Sequence, residues 1–393
     1  MRKLTRLLPL LIAAAAAATA AAQDDASALI ARIEAPQTPD RQGLDGFSLE
    51  EVLQRFHVPG MSIAVIKDFR IHWAKAYGVA DVETGRKVQA DTAFQAASIS
   101  KPVTAMATLR LAQEGRLSLD ADVNTILKSW HVPESGLTRG HPVTPRSLFS
   151  HTSGADDGFG FPGYAPTADR PTVVQVLNGS APSNTGPVSF ARPPFQAYKY
   201  SGGGLTIMQL ALTDLTGKPF AELMQTLVLG PLGMTGSSYE QPPATGLAAR
   251  AARAHNSSGR SMGAPWHVYP EQAAAGLWTT ASDLARFLIE VETAVRGPAG
   301  KVLNEASARE MTAPAGVGPF GVGLSLDKRG EGWYVSHGGA NWGFRGDILA
   351  HVRKGYGVVI LTNSDSGGPV ISEVEARVAA AYNWDSLDKP LLR

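Results

Sequence analysis

Ala96-Ala97-Ser98-Ile99-Ser100-Lys101-Pro102-Val103-Thr104-Ala105 is the stretch around which the chain is organised. Val103, Met106, Leu109 and Ala112 recur at helical spacing, and Gly115 supplies a stop. Pro102 is tolerated only near the start of a helix, which sets that start close to Ser98. Ser98 and Lys101 then stand at i and i+3 on one face, with Cβ atoms roughly 5–6 Å apart. The amides at a helix N-terminus favour negative charge, so a serine oxygen beside an amine there is one recipe for an activated nucleophile. Ser-x-x-Lys has only two fixed positions and arises by chance in many chains, where it is an ordinary first helical turn. The rest of the chain has to supply its partners.

The chain has 393 residues, 44% hydrophobic and 18% charged, which is enough for an ample core and more than one lobe. Arg2, Lys3 and Arg6 precede an apolar run from Leu7 to Ala18 and the small residues Ala20-Ala21-Ala22. That layout predicts a secretory signal over 1–22, cleaved after Ala22, and a periplasmic destination across the inner membrane. A membrane anchor wants about 20 strongly apolar residues, whereas this run is largely alanine, and no cysteine follows to carry a lipid. No later segment reads as a membrane span. The absence of cysteine excludes a disulfide framework, a zinc–thiolate site and thiol catalysis. Taking the three basic residues of the signal from 36 Lys+Arg leaves 33 against 35 Asp+Glu, a net charge of −2. That balance, without basic clusters, argues against a nucleic-acid partner.

Along the chain, 23–40 reads as a flexible mature N-terminus interrupted by Pro36 and Pro39. A helix follows, with Ser48 and Glu51 at capping-box spacing, and stops before Pro59-Gly60. Met61–Ile66 and Ile71–Tyr77 read as a hairpin around Lys67–Arg70. Helices are expected over 204–216, 219–228 and 280–296, the last with Leu284, Phe287, Leu288 and Val291 as its apolar face. The Gly/Pro-rich stretch 153–203 is a long loop region of the kind that tends to be functional. Strands return at Phe320–Leu326 and Trp333–His337, then at Arg345–Val352 and Tyr356–Thr362. An amphipathic helix after Pro369 closes the chain, with Ile371, Val374, Val378 and Tyr382 on one face. These elements predict an α+β protein: an antiparallel sheet flanked by N- and C-terminal helices, plus an inserted, mainly helical lobe. The sheet lobe is drawn from 41–119 and 286–393, and the insert from 120–285. Ligand sites favour such lobe junctions.

Two further signals fall at that junction. Tyr198-Lys199-Tyr200-Ser201-Gly202-Gly203-Gly204 enters a helix, and the Tyr200 phenol could relay the serine proton if nearby cations lowered its pKa. His337-Gly338-Gly339-Ala340 ends a strand, where glycines admit a ligand closely and a following amide can point at an oxyanion. Each alone is an ordinary turn or strand end. His151, in Ser150-His151-Thr152-Ser153-Gly154, reads as a hydrogen-bonder that fixes its loop. The other histidines lack ligand spacing, so no metal site and no cofactor is expected.

Together these elements resemble the serine β-lactamase and penicillin-binding-protein superfamily, nearest its class C β-lactamase, D-aminopeptidase and esterase branch. Ser98-Ile99-Ser100-Lys101 looks like its Ser-x-x-Lys. Tyr200-Ser201-Gly202 stands where the branch has Tyr-x-Asn, and His337-Gly338-Gly339 where it has Lys-Thr-Gly or His-x-Gly. Leu148–Gly154, Gly230–Met234 and Ala275–Leu284 match further family segments, and the resemblance runs from about 45 to 385. It implies the β-lactamase/transpeptidase-like fold and acyl transfer on Ser98, with Lys101 and Tyr200 managing the proton. His337 would polarise Tyr200 or contact the substrate. The amides of Ser98 and Ala340 would hold the oxyanion, with Gly338, Gly339, Gly202, Asn341 and Arg345 lining the substrate site. Two departures bear on the substrate. Gly202 lacks the asparagine amide, which predicts a roomier and less polar pocket, and His337 replaces a permanently charged lysine, with Arg345 as a possible substitute cation. The expected substrates are small esters, amides or peptides, with penicillins or peptidoglycan peptides as the alternative. A penicillin-binding or sensing module that never turns over is the reading of another class. Oligomeric state is not legible.

Overall fold

The central sheet takes its strands from both ends of the chain. The computed structural model describes residues 25–38, 43–157, 160–330 and 332–385, so the expected signal segment lies outside the described residues. The main-sheet strands are β1 (Gly60–Lys67), β2 (Arg70–Asp81), β3 (Arg86–Lys87), β6 (Ser325–Arg329), β7 (Gly332–Asn341), β8 (Phe344–His351) and β9 (Gly357–Thr362). They lie in the order β3-β2-β1-β9-β8-β7-β6, every neighbour antiparallel. The early and late halves join where Met61 pairs with Thr362 and Ile66 with Gly357. Two short strands, β4 (Phe94–Gln95) and β5 (Trp278–Thr279), pair separately.

The β1 and β9 sequences are continuous apolar runs because both strands are covered on both faces. Ala64, Ile66, Val359 and Leu361 point into one core. Met61, Ile63, Val65, Val358 and Ile360 point into the other. The first core holds helices α2 (Ser100–Gln113), α3 (Gly203–Thr216) and α4 (Ala281–Ala294). The second holds α1 (Leu49–Arg55) and α5 (Gly367–Tyr382). Helix α4 packs on β1, β9, β2 and β8, so a lobe boundary at 285 would cut through it. Ser48 and Glu51 form the expected capping box of α1.

Two local expectations are corrected. Residues 25–34 are helical where a flexible arm was expected, and Ile33 is fully buried in the second core. The reason is Arg377 of α5, itself 1% exposed. It pairs with Glu373 and donates to the carbonyls of Ile33, Ala35, Leu44 and Phe47, drawing those four residues onto the helix. Secondly, β6 begins at Ser325 rather than Phe320. Gly318 and Gly323 hold positive φ there, which leaves Phe320 in a loop. Helix α2 itself is buried almost all round, as a helix in the middle of a protein is.

Candidate active site

The Ser98 turn is short and central. Ala97–Ile99 form a 3-10 turn that runs directly into α2, with Pro102 in the helix's first turn. Ala96 donates to Leu277 O at 2.8 Å, and Leu277 donates back to Ser100 Oγ at 2.9 Å, so the 275–284 segment braces the serine. On the other side runs β7. A Cβ on Gly339 would lie 2.3 Å from Ala96 O, so only glycine lets the strand pass this close. Ser98, Lys101, Tyr200, His337, Gly338, Gly339, Ala340 and Asn341 border one cavity of about 630 Å³.

Lys101 Nζ lies 2.9 Å from Ser98 Oγ and donates to Ala274 O at 2.8 Å. Burial lowers the pKa of this amine to about 7, against a smaller opposing pull from Asp157. A lysine near 7 can accept a proton at neutral pH. Tyr200 is hydrogen-bonded to Ser98, yet burial outweighs that bond and raises the phenol above its ordinary pKa. The condition under which Tyr200 would relay as a phenolate is therefore not met, even with Lys101 Nζ 5.0 Å from its ring centroid. Burial thus favours the protonated phenol at Tyr200 and brings the Lys101 amine towards neutrality.

His151 is buried and lies 4.2 Å, centroid to centroid, from Tyr200. Its Nδ1 accepts the Ser201 N–H at 3.2 Å, and its own carbonyl accepts Lys199 N–H at 2.8 Å. It fixes the tyrosine loop, as the sequence suggests. His337 pairs with Ile348 across β7 and β8, and its Nδ1 donates to Gly338 O at 2.7 Å. Burial, then the charge of Lys101, lowers its pKa to about 3, so the imidazole is neutral.

Three of the expected substrate-site residues make contacts within the protein. Arg345 donates to Asn341 O and Phe344 O, each at 2.7 Å, and pairs with Asp365 at 2.9 Å. It borders the cavity, where its guanidinium ties down the β7–β8 turn. The Asn341 amide donates to Gln95 Oε1 at 2.9 Å and Ala275 O at 3.1 Å; both its hydrogens are engaged within the protein. Gly202 does not open a roomier pocket, because Phe161 fills the space: a Cβ on Gly202 would lie 2.8 Å from Phe161 Cε2. The wall there is an aromatic ring.

Sequence reasoning missed Phe161, Phe320, Ala274 and Asp157. Phe161 and Phe320 line the cavity, with the Phe320 ring 5.9 Å from His337 and 4.9 Å from His151. Asp157 accepts from Ser201 Oγ and, at 2.6 Å, from the Gly203 amide. The clue to Phe161 and Asp157 was their place in the long Gly/Pro-rich loop; Ala274 O carries no side-chain signal.

A β-lactamase family model matches residues 48–382. The chain belongs to that family, and it carries the Ser-x-x-Lys, tyrosine and His-Gly-Gly elements around one cavity. It is 26% identical over 337 residues to protein flp of Staphylococcus aureus (strain N315), covering 81% of this chain and 62% of that protein's length. It is 28% identical over 339 residues to esterase EstB of Burkholderia gladioli, covering 79% of each. The octameric penicillin-binding protein homologue of Pyrococcus abyssi superimposes with a TM-score of 0.68 at 23% identity, over 87% of this chain and 78% of that one. Among the described residues no helix is long and apolar enough to cross a membrane.

Proposed function

We propose that this chain is an exported serine hydrolase that cleaves small esters or amides through an acyl-enzyme on Ser98. The observation that carries the reading is the 2.9 Å contact between Ser98 Oγ and Lys101 Nζ, an amine whose pKa is lowered to about 7. Ser98 Oγ attacks the carbonyl as its proton passes to Lys101, and the oxygen of the tetrahedral intermediate takes the negative charge. The Ser98 and Ala340 amides stabilise that oxyanion. Its collapse breaks the bond to the alcohol or amine, which leaves with the proton that Lys101 returns. Water then attacks the acyl-enzyme and restores Ser98 with release of the acid.

Esters and short amides are favoured over penicillins for three reasons. His337 is neutral, Arg345 is engaged by Asp365, and Phe161 occupies the wall where the family holds an amide. A fixed substrate carboxylate therefore meets no free cation among these groups. The similarity to esterase EstB supports the same choice, and the basic, apolar and small-residue order of 1–22 supports export to the periplasm. The test compares kcat/KM for a short-chain p-nitrophenyl ester and a chromogenic cephalosporin on one preparation, with intact-mass detection of the acyl group on Ser98. The ester is expected to lead by about tenfold or more, a difference of about 1.4 kcal/mol. A tenfold lead for the cephalosporin would overturn the preference.

A further inference from the structure

We propose that His337 recognises the substrate as a hydrogen-bond acceptor, selecting esters and amides that carry an N–H or O–H donor near the scissile carbonyl. This rests on the hydrolase reading above and goes beyond it by naming the polarity of the substrate group. A carbonyl oxygen can only accept, so the 2.7 Å contact from Nδ1 to Gly338 O puts the proton on Nδ1. In the neutral ring Nε2 is then a bare lone pair. That atom is buried and has no hydrogen-bond partner among the described residues. The residue is 4% exposed and borders the catalytic cavity.

The neighbours do not complete it. Lys101 directs its bonds to Ser98 and Ala274 O, and the Tyr200 hydroxyl is bonded to Ser98. Phe320 presents an aromatic ring at 5.9 Å. Strand pairing with Ile348, which points into the same core as Ile99, puts the imidazole on the Ser98 side of the sheet. A buried acceptor without a donor weakens a fold; a donor on the substrate would meet it at the moment of binding. Recognition of this kind discriminates sharply, because an analogue that lacks the donor leaves the buried acceptor unmet. A carboxylate would face the lone pair and be repelled by it.

The test uses aryl esters in matched triads, with hydroxymethyl, ethyl or carboxylate at one position. One triad varies the aryl leaving group and the other varies the acyl chain. Wild-type kcat/KM is expected to fall in that order in at least one triad, with hydroxymethyl about tenfold above ethyl. His337→Phe keeps a ring but removes the acceptor, and should bring the hydroxymethyl/ethyl ratio to about one. His337→Gln, whose Oε1 can accept, should keep part of the preference, and His337→Lys should place carboxylate first. Each is a ratio within one protein, so a general loss of rate does not obscure it. Equal rates for hydroxymethyl and ethyl in both wild-type triads would overturn the proposal, as expected if Nε2 merely holds a water. A preference that survives in His337→Phe would overturn it too. Turnover of the plain esters without any such preference would leave the hydrolase reading standing and this one refuted. Failure of every ester to acylate Ser98 would refute both.

Discussion

The Asp157 carboxylate accepts the backbone N–H of Gly203 at 2.6 Å, so a loop 46 residues upstream caps the helix that follows Tyr200. The same carboxylate opposes the burial of Lys101 and raises that lysine's pKa against the larger effect of desolvation. Removing its charge lowers Lys101 further, so the neutral amine persists to lower pH. Asp157→Asn is therefore expected to move the acidic limb of the kcat/KM profile to lower pH by about half a unit or more. A profile that stays in place, or moves to higher pH, would show that the two charges are uncoupled.

Ser98→Ala should abolish ester hydrolysis and leave the denaturation midpoint close to wild type, since one hydroxyl at the cavity is lost. Lys101→Arg keeps the charge but cannot give up its proton, and acylation should fall by about 10²–10⁴-fold. Intact-mass time courses with a reactive ester measure both. Acylation of Lys101→Arg at the wild-type rate would transfer the base role to another group.

The lowered pKa of Lys101 also has a cost in stability with a definite sign. The unfolded chain binds the lysine proton up to its ordinary pKa of about 10.4, whereas the fold releases it near 7. Between those values the unfolded state holds more protons, so wild-type stability rises with pH. The full penalty, on the order of 5 kcal/mol before hydrogen bonds are counted, is present below pH 7. Lys101→Met should thus be inactive yet more stable than wild type at pH 7, by about 1–3 kcal/mol after loss of the bonds to Ser98 and Ala274. Urea midpoints at pH 7 and pH 10 test this: an advantage that fails to shrink at pH 10 contradicts the account.

Phe161 and Gly202 should behave as one unit. Gly202→Ala sets a methyl 2.8 Å from the Phe161 ring and is expected to destabilise by about 1–3 kcal/mol through overpacking. With Phe161→Ala already present, most of that cost should vanish. A double-mutant cycle on unfolding free energy measures the coupling, and additive effects would mean that the ring moves aside freely.

What could be read from the chain alone followed the range of the interactions involved. The helix start at Ser98, the Ser48–Glu51 box and the β1–β2 hairpin depend on residues a few positions apart, and their spacing was sufficient. The approach of Tyr200 and His337 to Ser98 was legible only as a resemblance, because residues more than 100 positions apart meet solely through the fold. The setting of Arg345 was hidden for a physical reason: its charge is visible in one dimension, but Asp365 and the Asn341 and Phe344 carbonyls that engage it are not. Phe161 was invisible in the same way. The sequence shows a missing asparagine side chain, not the ring that fills the place.

Arg377 gives the fold a kinetic character as well as a closed shape. Its bonds to the Ile33 and Phe47 carbonyls span 344 and 330 positions, and β1 finds β9 only across a comparable separation. Contacts of such length slow folding, because the loop-closure entropy comes due before they form. During synthesis the 25–34 helix emerges long before Arg377 exists, and β1 can pair with β2 at once but lacks β9 on its other edge. The opening segment must therefore wait, covered on one side only, until almost the whole polypeptide is available, an interval in which a chaperone can hold it.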